Sequence, residues 1–314
     1  MVIGHSTASH PVTQSPCHLV RLQRVRIFKL AAVLVLWALS FILNEVALRS
    51  LQPVTVVAGR WSVTAALVLM LLAQRRELRS FGAAVRVDWR AFFLLSLFGV
   101  TLLYGLQITG QARTSAVNTG LLANTVPVFT ALLAGIFLRQ RLRMAGWAGI
   151  LLALAGAWII SAGGLRLQVQ RETALGDGLV LLSSLAAALY FVFGSRLLRG
   201  YPALLVTAAA ATLGALTLLP PAIVAGQGSV WTWPALAAVL ALGIGPGLLA
   251  NLWWWETVEW LDATRAAVYI YLIPLLTMIF AVLLLDETVG PAQLAGAALL
   301  LGGVWLAERS RANT

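Results

Sequence analysis

Residues 139–163 read RQRLRMAGWAGILLALAGAWIISAG. Three arginines, Arg139, Arg141 and Arg143, precede a stretch, 144–163, that holds no charged side chain at all. At 1.5 Å rise per residue, about 20 apolar residues cover roughly 30 Å, the thickness of a bilayer's hydrocarbon core. A surface helix of a soluble domain keeps one polar face over that length. The stretch therefore predicts a membrane span with a basic flank.

Read outward from there, the chain yields ten such runs: 28–49, 53–74, 91–111, 115–138, 144–163, 176–197, 203–225, 234–257, 264–285 and 288–307. Most connections are short, so consecutive spans are expected to be antiparallel neighbours. The composition agrees. Hydrophobic residues make up 60% of the 314, charged residues 11%, and the mean hydropathy is +0.89. A soluble domain has about 45–50% and 25%. The expected fold class is thus an all-α membrane protein of ten transmembrane helices.

Residues 1–27 read as a disordered cytoplasmic leader, and 308–314 as a cytoplasmic tail. The leader has no signal-peptide core followed by a small-residue cleavage site. Its His5, His10, Cys17 and His18 fit no zinc spacing, so no metal is expected. Cys17 is the sole cysteine, which excludes an internal disulfide.

The formal charge is +11. In a soluble protein that balance suggests nucleic acid. Here the basic residues lie in short membrane-flanking connections, so nucleic-acid binding is excluded. With the N-terminus inside, 17 of the 22 Lys and Arg fall on the inner side and four (Arg49, Arg113, Arg166, Arg171) on the outer; Arg60 lies within a span. The positive-inside rule then places both termini in the cytoplasm; the expected location is a bacterial inner membrane, crossed in multiple passes.

The chain also repeats. Shifted by 147 residues, Pro127 lands on Pro274, Gly149 on Gly296, Gly156 on Gly303 and Trp158 on Trp305. Shifted by 150, Ala38-Leu39 and Phe41 land on Ala188-Leu189 and Phe191, which makes Tyr190 the counterpart of Ser40. The boundaries are 28–163 and 176–307. Five spans per half is an odd number, so the halves must be inverted, the architecture of many secondary transporters. The charges fit: the basic Arg139–Arg143 connection is inside, and its counterpart Asp286-Glu287-Thr288 is outside.

This order of features resembles the drug/metabolite transporter superfamily, specifically its EamA-type members. Leu36-Trp37 with Ser40, Arg60, Pro127, Pro274, the closing Asp286-Glu287 and the opening Gly176-Asp177 carry the resemblance. One departure is Gln140, where the family's first repeat usually closes its fourth helix with an acid. Any role for that acid falls to Glu287 alone. The resemblance implies export of amino acids and other small metabolites, with drugs or sugars in some members.

A substrate path should run near the midplane between repeats. The eighth span breaks there, at Gly243-Ile244-Gly245-Pro246-Gly247. Gly243, Gly245, Pro246 and Gly247 are candidate hinge residues, with Pro127 and Pro274; the simpler reading is a packing kink. Candidate substrate contacts are Trp37, Ser40, Asn44, Tyr104, Gln107, Asn118, Asn124, Tyr190, Asn251, Trp255, Tyr269 and Tyr271. Amides and hydroxyls can bond both ends of a zwitterion while rings cover an apolar side chain. Each could equally serve packing or interhelical hydrogen bonding. Three adjacent tryptophans, Trp253 to Trp255, cannot all face one cavity. The first, third, fourth, sixth, eighth and ninth spans are favoured over the second, fifth, seventh and tenth.

Glycines on the fifth and tenth spans predict close helix packing inside the molecule, or a dimer contact. The expected state is a monomer or weak homodimer in contact with the lipid bilayer. No acid lies at mid-span, which points to alternating access with no obligatory ion. Arg60, roughly 10 Å into its span, is expected to pair with Glu45, to bond backbone carbonyls, or to meet a substrate carboxylate. No Walker loop, H-E-x-x-H or G-x-S-x-G occurs, so no cofactor or enzyme centre is expected. The readings left open are a small-metabolite exporter, a drug or organic-cation exporter, a sugar or nucleotide-sugar carrier, and a channel or membrane scaffold.

Overall fold

The computed structural model describes residues 16–126, 128–129, 133, 144–161, 171–261, 269–270 and 272–312. Among them every regular element is helical and no strand occurs. The helices are α1 (Pro16–Leu48), α2 (Pro53–Gln74), α3 (Leu78–Val87), α4 (Trp89–Ser96), α5 (Leu103–Gln111), α6 (Ala116–Leu122), α7 (Met144–Ser161), α8 (Arg171–Leu197), α9 (Ala203–Ala225), α10 (Trp233–Leu242), α11 (Ala250–Leu261), α12 (Ile273–Leu285) and α13 (Pro291–Ala312). A π-helical segment, Leu97–Leu102, joins α4 to α5, and a second, Gly243–Leu249, joins α10 to α11.

Among the described residues six helical stretches are long and apolar enough to cross a bilayer: Gln23–Leu48, Pro53–Gln74, Trp89–Gln111, Thr173–Phe191, Ala203–Ala225 and Trp233–Val258. Three shorter apolar helices accompany them, Met144–Ile160, Ile273–Leu285 and Pro291–Leu306. Helices keep every backbone hydrogen bond internal, which is why lipid tolerates them. Large apolar side chains cover much of the outer surface, Ile223, Val224 and Leu283 among them.

Two boundaries differ from the sequence reading. Helix α1 reaches back to Pro16, so residues 16–27 are helical rather than a disordered leader. Leucine and arginine are good helix formers, and no glycine or proline interrupts 17–27. The second connection folds into α3, whose Phe81, Ala84 and Val85 share one face and turn inward while Arg79 and Arg86 stay exposed.

The packing follows an exchange pattern. Helix α7 lies along α13, and α2 along α9. Helix α5 packs on α8, and α10 and α11 pack on α1. Helix α1 also meets α12, as α8 meets α6. In span order, third-on-sixth answers eighth-on-first, and sixth-on-fourth answers first-on-ninth. Consecutive helices need not be the main neighbours: α1 meets α2 far less than α2 meets α9.

The glycines of α7 and α13 face each other inside the chain. A Cβ on Gly156 would stand 2.6 Å from the Gly296 oxygen, and one on Gly303 would stand 2.6 Å from the Gly149 oxygen. Trp158 and Trp305, the repeat-related pair, both point outward.

Polar contacts gather at two ends. At one, the Val230 N–H donates to the Ser50 carbonyl (2.8 Å), and the Gln52 N–H donates to Ser229 Oγ (2.9 Å). A surface cleft lined by Gln52, Pro53, Thr109 and Arg113 opens there. At the other, Lys29 pairs with Glu256, and the Tyr201 hydroxyl donates to Asp88. That bond to the Asp88 carboxylate pushes the Tyr201 phenol above its ordinary pKa. Each group holds residues that the charge distribution assigns to one side of the membrane.

Candidate functional site

The two π segments are built where the repeat register relates them: shifted by 147, Leu97–Leu102 falls on 244–249. A π turn widens the helix and leaves backbone groups off the i→i−4 ladder. In the second segment Pro246 supplies the cause, having no N–H to donate. The Asn251 side chain ties into the same segment. Its Nδ2 donates to the Pro246 and Gly247 carbonyls at 2.8 and 2.9 Å. Thr64 of α2 ties in from outside, donating to the Gly243 carbonyl at 2.9 Å. The first segment has no proline; there Gly99 lies against the Tyr190 ring, with its Cβ position only 2.0 Å from that ring.

Around these segments the aromatic side chains meet. Ring centroids of Trp37 and Trp254 lie 5.1 Å apart, and those of Tyr190 and Trp255 lie 5.8 Å apart. Phe191 sits 6.4 Å from both Trp254 and Trp255. Trp61 and Tyr104 lie 5.1 Å apart. The second span, disfavoured by the sequence reading, thus contributes Trp61 and, beside it, Arg60. Trp254 and Trp255 are both buried, while Trp253 is only partly so.

Arg60 is 1% exposed, and its guanidinium carbon lies 4.3 Å from the Tyr104 ring centroid and 5.6 Å from that of Trp61. The expected pair with Glu45 does not form, nor does Arg60 donate to a backbone carbonyl: Nε, Nη1 and Nη2 are all without an acceptor among the described residues. The reason is packing. Depth along α1 and α2 matches, but α1 turns mainly toward α10, α11 and α12. A lone Arg at the bilayer centre costs about 2.5–3.5 kcal/mol on insertion scales, and a desolvated cation–π contact offsets about 2 kcal/mol. The rings compensate the charge in part; its N–H donors stay unpaired.

The remaining candidates separate into groups. Ser40 donates to the Trp37 carbonyl at 2.6 Å within its own helix. Asn44 is buried and reaches Gln111, which in turn donates to the Phe41 carbonyl at 2.7 Å. Gln107 is buried beside Tyr104's helix turn. Asn118 donates to Thr114 just before α6, and Asn124 to the Gly120 carbonyl. Tyr269 is 41% exposed and makes no ring contact among the described residues. Pro274 is in the first turn of α12, where a missing N–H is harmless. Pro127 and Tyr271 lie outside the described residues.

Glu287 has a role the sequence reading left open. Asp286 takes a left-handed conformation (φ 56°), which Asp tolerates, and the chain turns back. The Glu287 carboxylate then accepts from the backbone N–H groups of Ala116 (3.1 Å) and Val117 (3.2 Å) at the start of α6. This joins the turn between α12 and α13 to the start of α6. Glu287→Ala removes both charge-assisted bonds and is expected to cost about 1–3 kcal/mol, with Glu287→Gln costing less. Thermal unfolding in detergent measures the difference.

Comparison with known proteins gives the affiliation. The sequence profile described as the EamA-like transporter family matches twice, at residues 26–162 and 174–308. An "Uncharacterized transporter" of Archaeoglobus fulgidus is 32% identical over 279 residues, 88% of this chain and 95% of that protein. A "Probable terminal-alkyne amino-acid exporter" of Streptantibioticus cattleyicolor is 29% identical over 221 residues, covering 69% and 73%. A solved crystal structure aligns with TM-score 0.62 and 23% identity over 90% of this chain and 97% of its own; at that identity it shows the fold alone.

Proposed function

We propose an export function for this chain, which belongs to the EamA-like transporter family, within the drug/metabolite transporter superfamily. It moves small metabolites, amino acids with aromatic or apolar side chains foremost, out of a bacterial cell across the inner membrane. Ten helices form two inverted five-helix repeats, 28–163 and 176–307, with both termini in the cytoplasm. Alternating access proceeds at the repeat interface, and no ion is obligatory.

One observation carries this reading. The ring cluster draws Trp37, Trp61 and Tyr104 from the first half and Tyr190, Trp254 and Trp255 from the second, around two π segments in matching register. An aromatic site at the interface of two halves suits an apolar side chain. The exchanged packing pairs, the double family match and the exporter name of the Streptantibioticus relative support it. An organic-cation exporter needs an acid in the site, whereas the charge against these rings is Arg60.

Counterflow in liposomes against an amino-acid panel tests the reading. Exchange of phenylalanine or tryptophan that persists after the pH gradient is collapsed is the expected result. No exchange with any amino acid overturns the substrate class, and dependence on the pH gradient overturns the uncoupled mechanism. A single-channel conductance would favour a channel instead.

A further inference from the structure

In the ring cluster every buried polar atom without a partner among the described residues is a nitrogen donor: the three guanidinium nitrogens of Arg60 and the indole nitrogens of Trp37, Trp61, Trp254 and Trp255. The unpartnered buried oxygens, on Asn44, Asn118, Asn124, Thr207, Thr212 and Thr277, belong to residues outside the ring cluster. A guanidinium offers five N–H groups and accepts nothing, and an indole offers one. The guanidinium faces the Tyr104 ring, and one turn earlier in that span Gly99 abuts Tyr190, whose ring meets Trp255. Donors and rings therefore line one continuous region.

We infer that Arg60 is the receptor for a substrate carboxylate, and that the carboxylate, not the ammonium, is the group by which the transporter recognises an amino acid. The planar fork of a guanidinium matches a carboxylate's two oxygens. Among the described residues no carboxylate is bonded to it, so its donors can serve one brought by the solute. Among the described residues nothing acidic in the cluster answers an ammonium; ring faces would meet it. The substrate class is then an apolar body bearing one carboxylate, with or without an α-amino group. This rests on the export reading above and narrows it.

The test compares three solutes in counterflow with labelled phenylalanine: phenylalanine, N-acetylphenylalanine, which keeps the carboxylate alone, and phenylalaninamide, which keeps the ammonium alone. Wild-type protein should exchange the first two and discriminate against the amide by roughly 10- to 100-fold, the range expected for losing hydrogen bonds to a charged group. Arg60→Gln should erase that preference, and Arg60→Lys should retain part of it. Equal exchange of amide and acid by the wild type overturns the inference and leaves the export reading standing. Arg60→Gln with undiminished preference for the acid overturns the assignment to Arg60. Failure of the wild type to exchange any of the three overturns the export reading itself. The wild-type comparison needs no variant, so a poorly folding Arg60→Gln does not shield the inference.

Discussion

Gly303→Leu is expected to abolish a monodisperse, folded protein, while Gly302→Leu, one residue earlier, is expected to leave yield and thermal midpoint unchanged. The contrast follows from what each Cβ meets. At Gly303 it would lie 2.4 Å from the Ala153 nitrogen and 2.6 Å from the Gly149 oxygen, both backbone atoms of α7. At Gly302 nothing stands within 4 Å, and the position is exposed. Overpacked side chains can often rotate away, at about 1–3 kcal/mol. Backbone held in its own helical ladder cannot, so the helices must separate. Association of membrane helices depends on such close approach, because lipid tails already satisfy apolar side chains. Gly156→Leu should reproduce the defect from the opposite side, since its Cβ would meet the Leu300 nitrogen at 2.4 Å. Size-exclusion profiles and unfolding curves in detergent decide it. Equal behaviour of the 302 and 303 variants would show that α7 and α13 are not in this contact.

Close packing of those glycines was legible from spacing, because Gly149, Gly156, Gly296 and Gly303 recur in one register, though a dimer contact stood beside it and the pairing of α7 with α13 needed the fold. So was the broken eighth span, announced by Pro246 among glycines. Its partner at Leu97–Leu102 was not legible. That stretch, LFGVTL, holds a single glycine and no proline, and the ring packed on its Gly99 comes from Tyr190 of another helix. Arg60 marks the same boundary between local and tertiary information. Sequence gives a side chain's depth along a span; which helix stands opposite is fixed by packing across the molecule. Hence Glu45 matched in depth and missed in contact, and Trp61 joined the rings from a span that sequence disfavoured. Glu287 shows the converse: the acid was visible, and its bond to Ala116 and Val117 needed the fold.

Asn251 is where the two kinds of reading can be separated by experiment. Its sequence position suggested a substrate contact, yet its amide donates to two carbonyls of its own π segment. Asn251→Ala removes two buried side-chain bonds to the π segment, at about 1 kcal/mol each, which is a large fraction of a protein's total stability. The expected result is a marked loss of thermal stability together with a fall in transport that is uniform across all exchanged solutes. Asn251→Ser should recover part of both, since a serine hydroxyl reaches the i−4 carbonyl, here that of Gly247. Asn251→Asp should do no better than alanine, because a carboxylate only accepts and would face two carbonyl oxygens. The ordering Asn, Ser, then Ala with Asp belongs to a positioning residue. A substrate contact gives a different signature: wild-type stability in Asn251→Ala and a loss confined to one class of solute. Seeing that pattern would return Asn251 to the substrate path and leave the π segment held by Thr64 from α2.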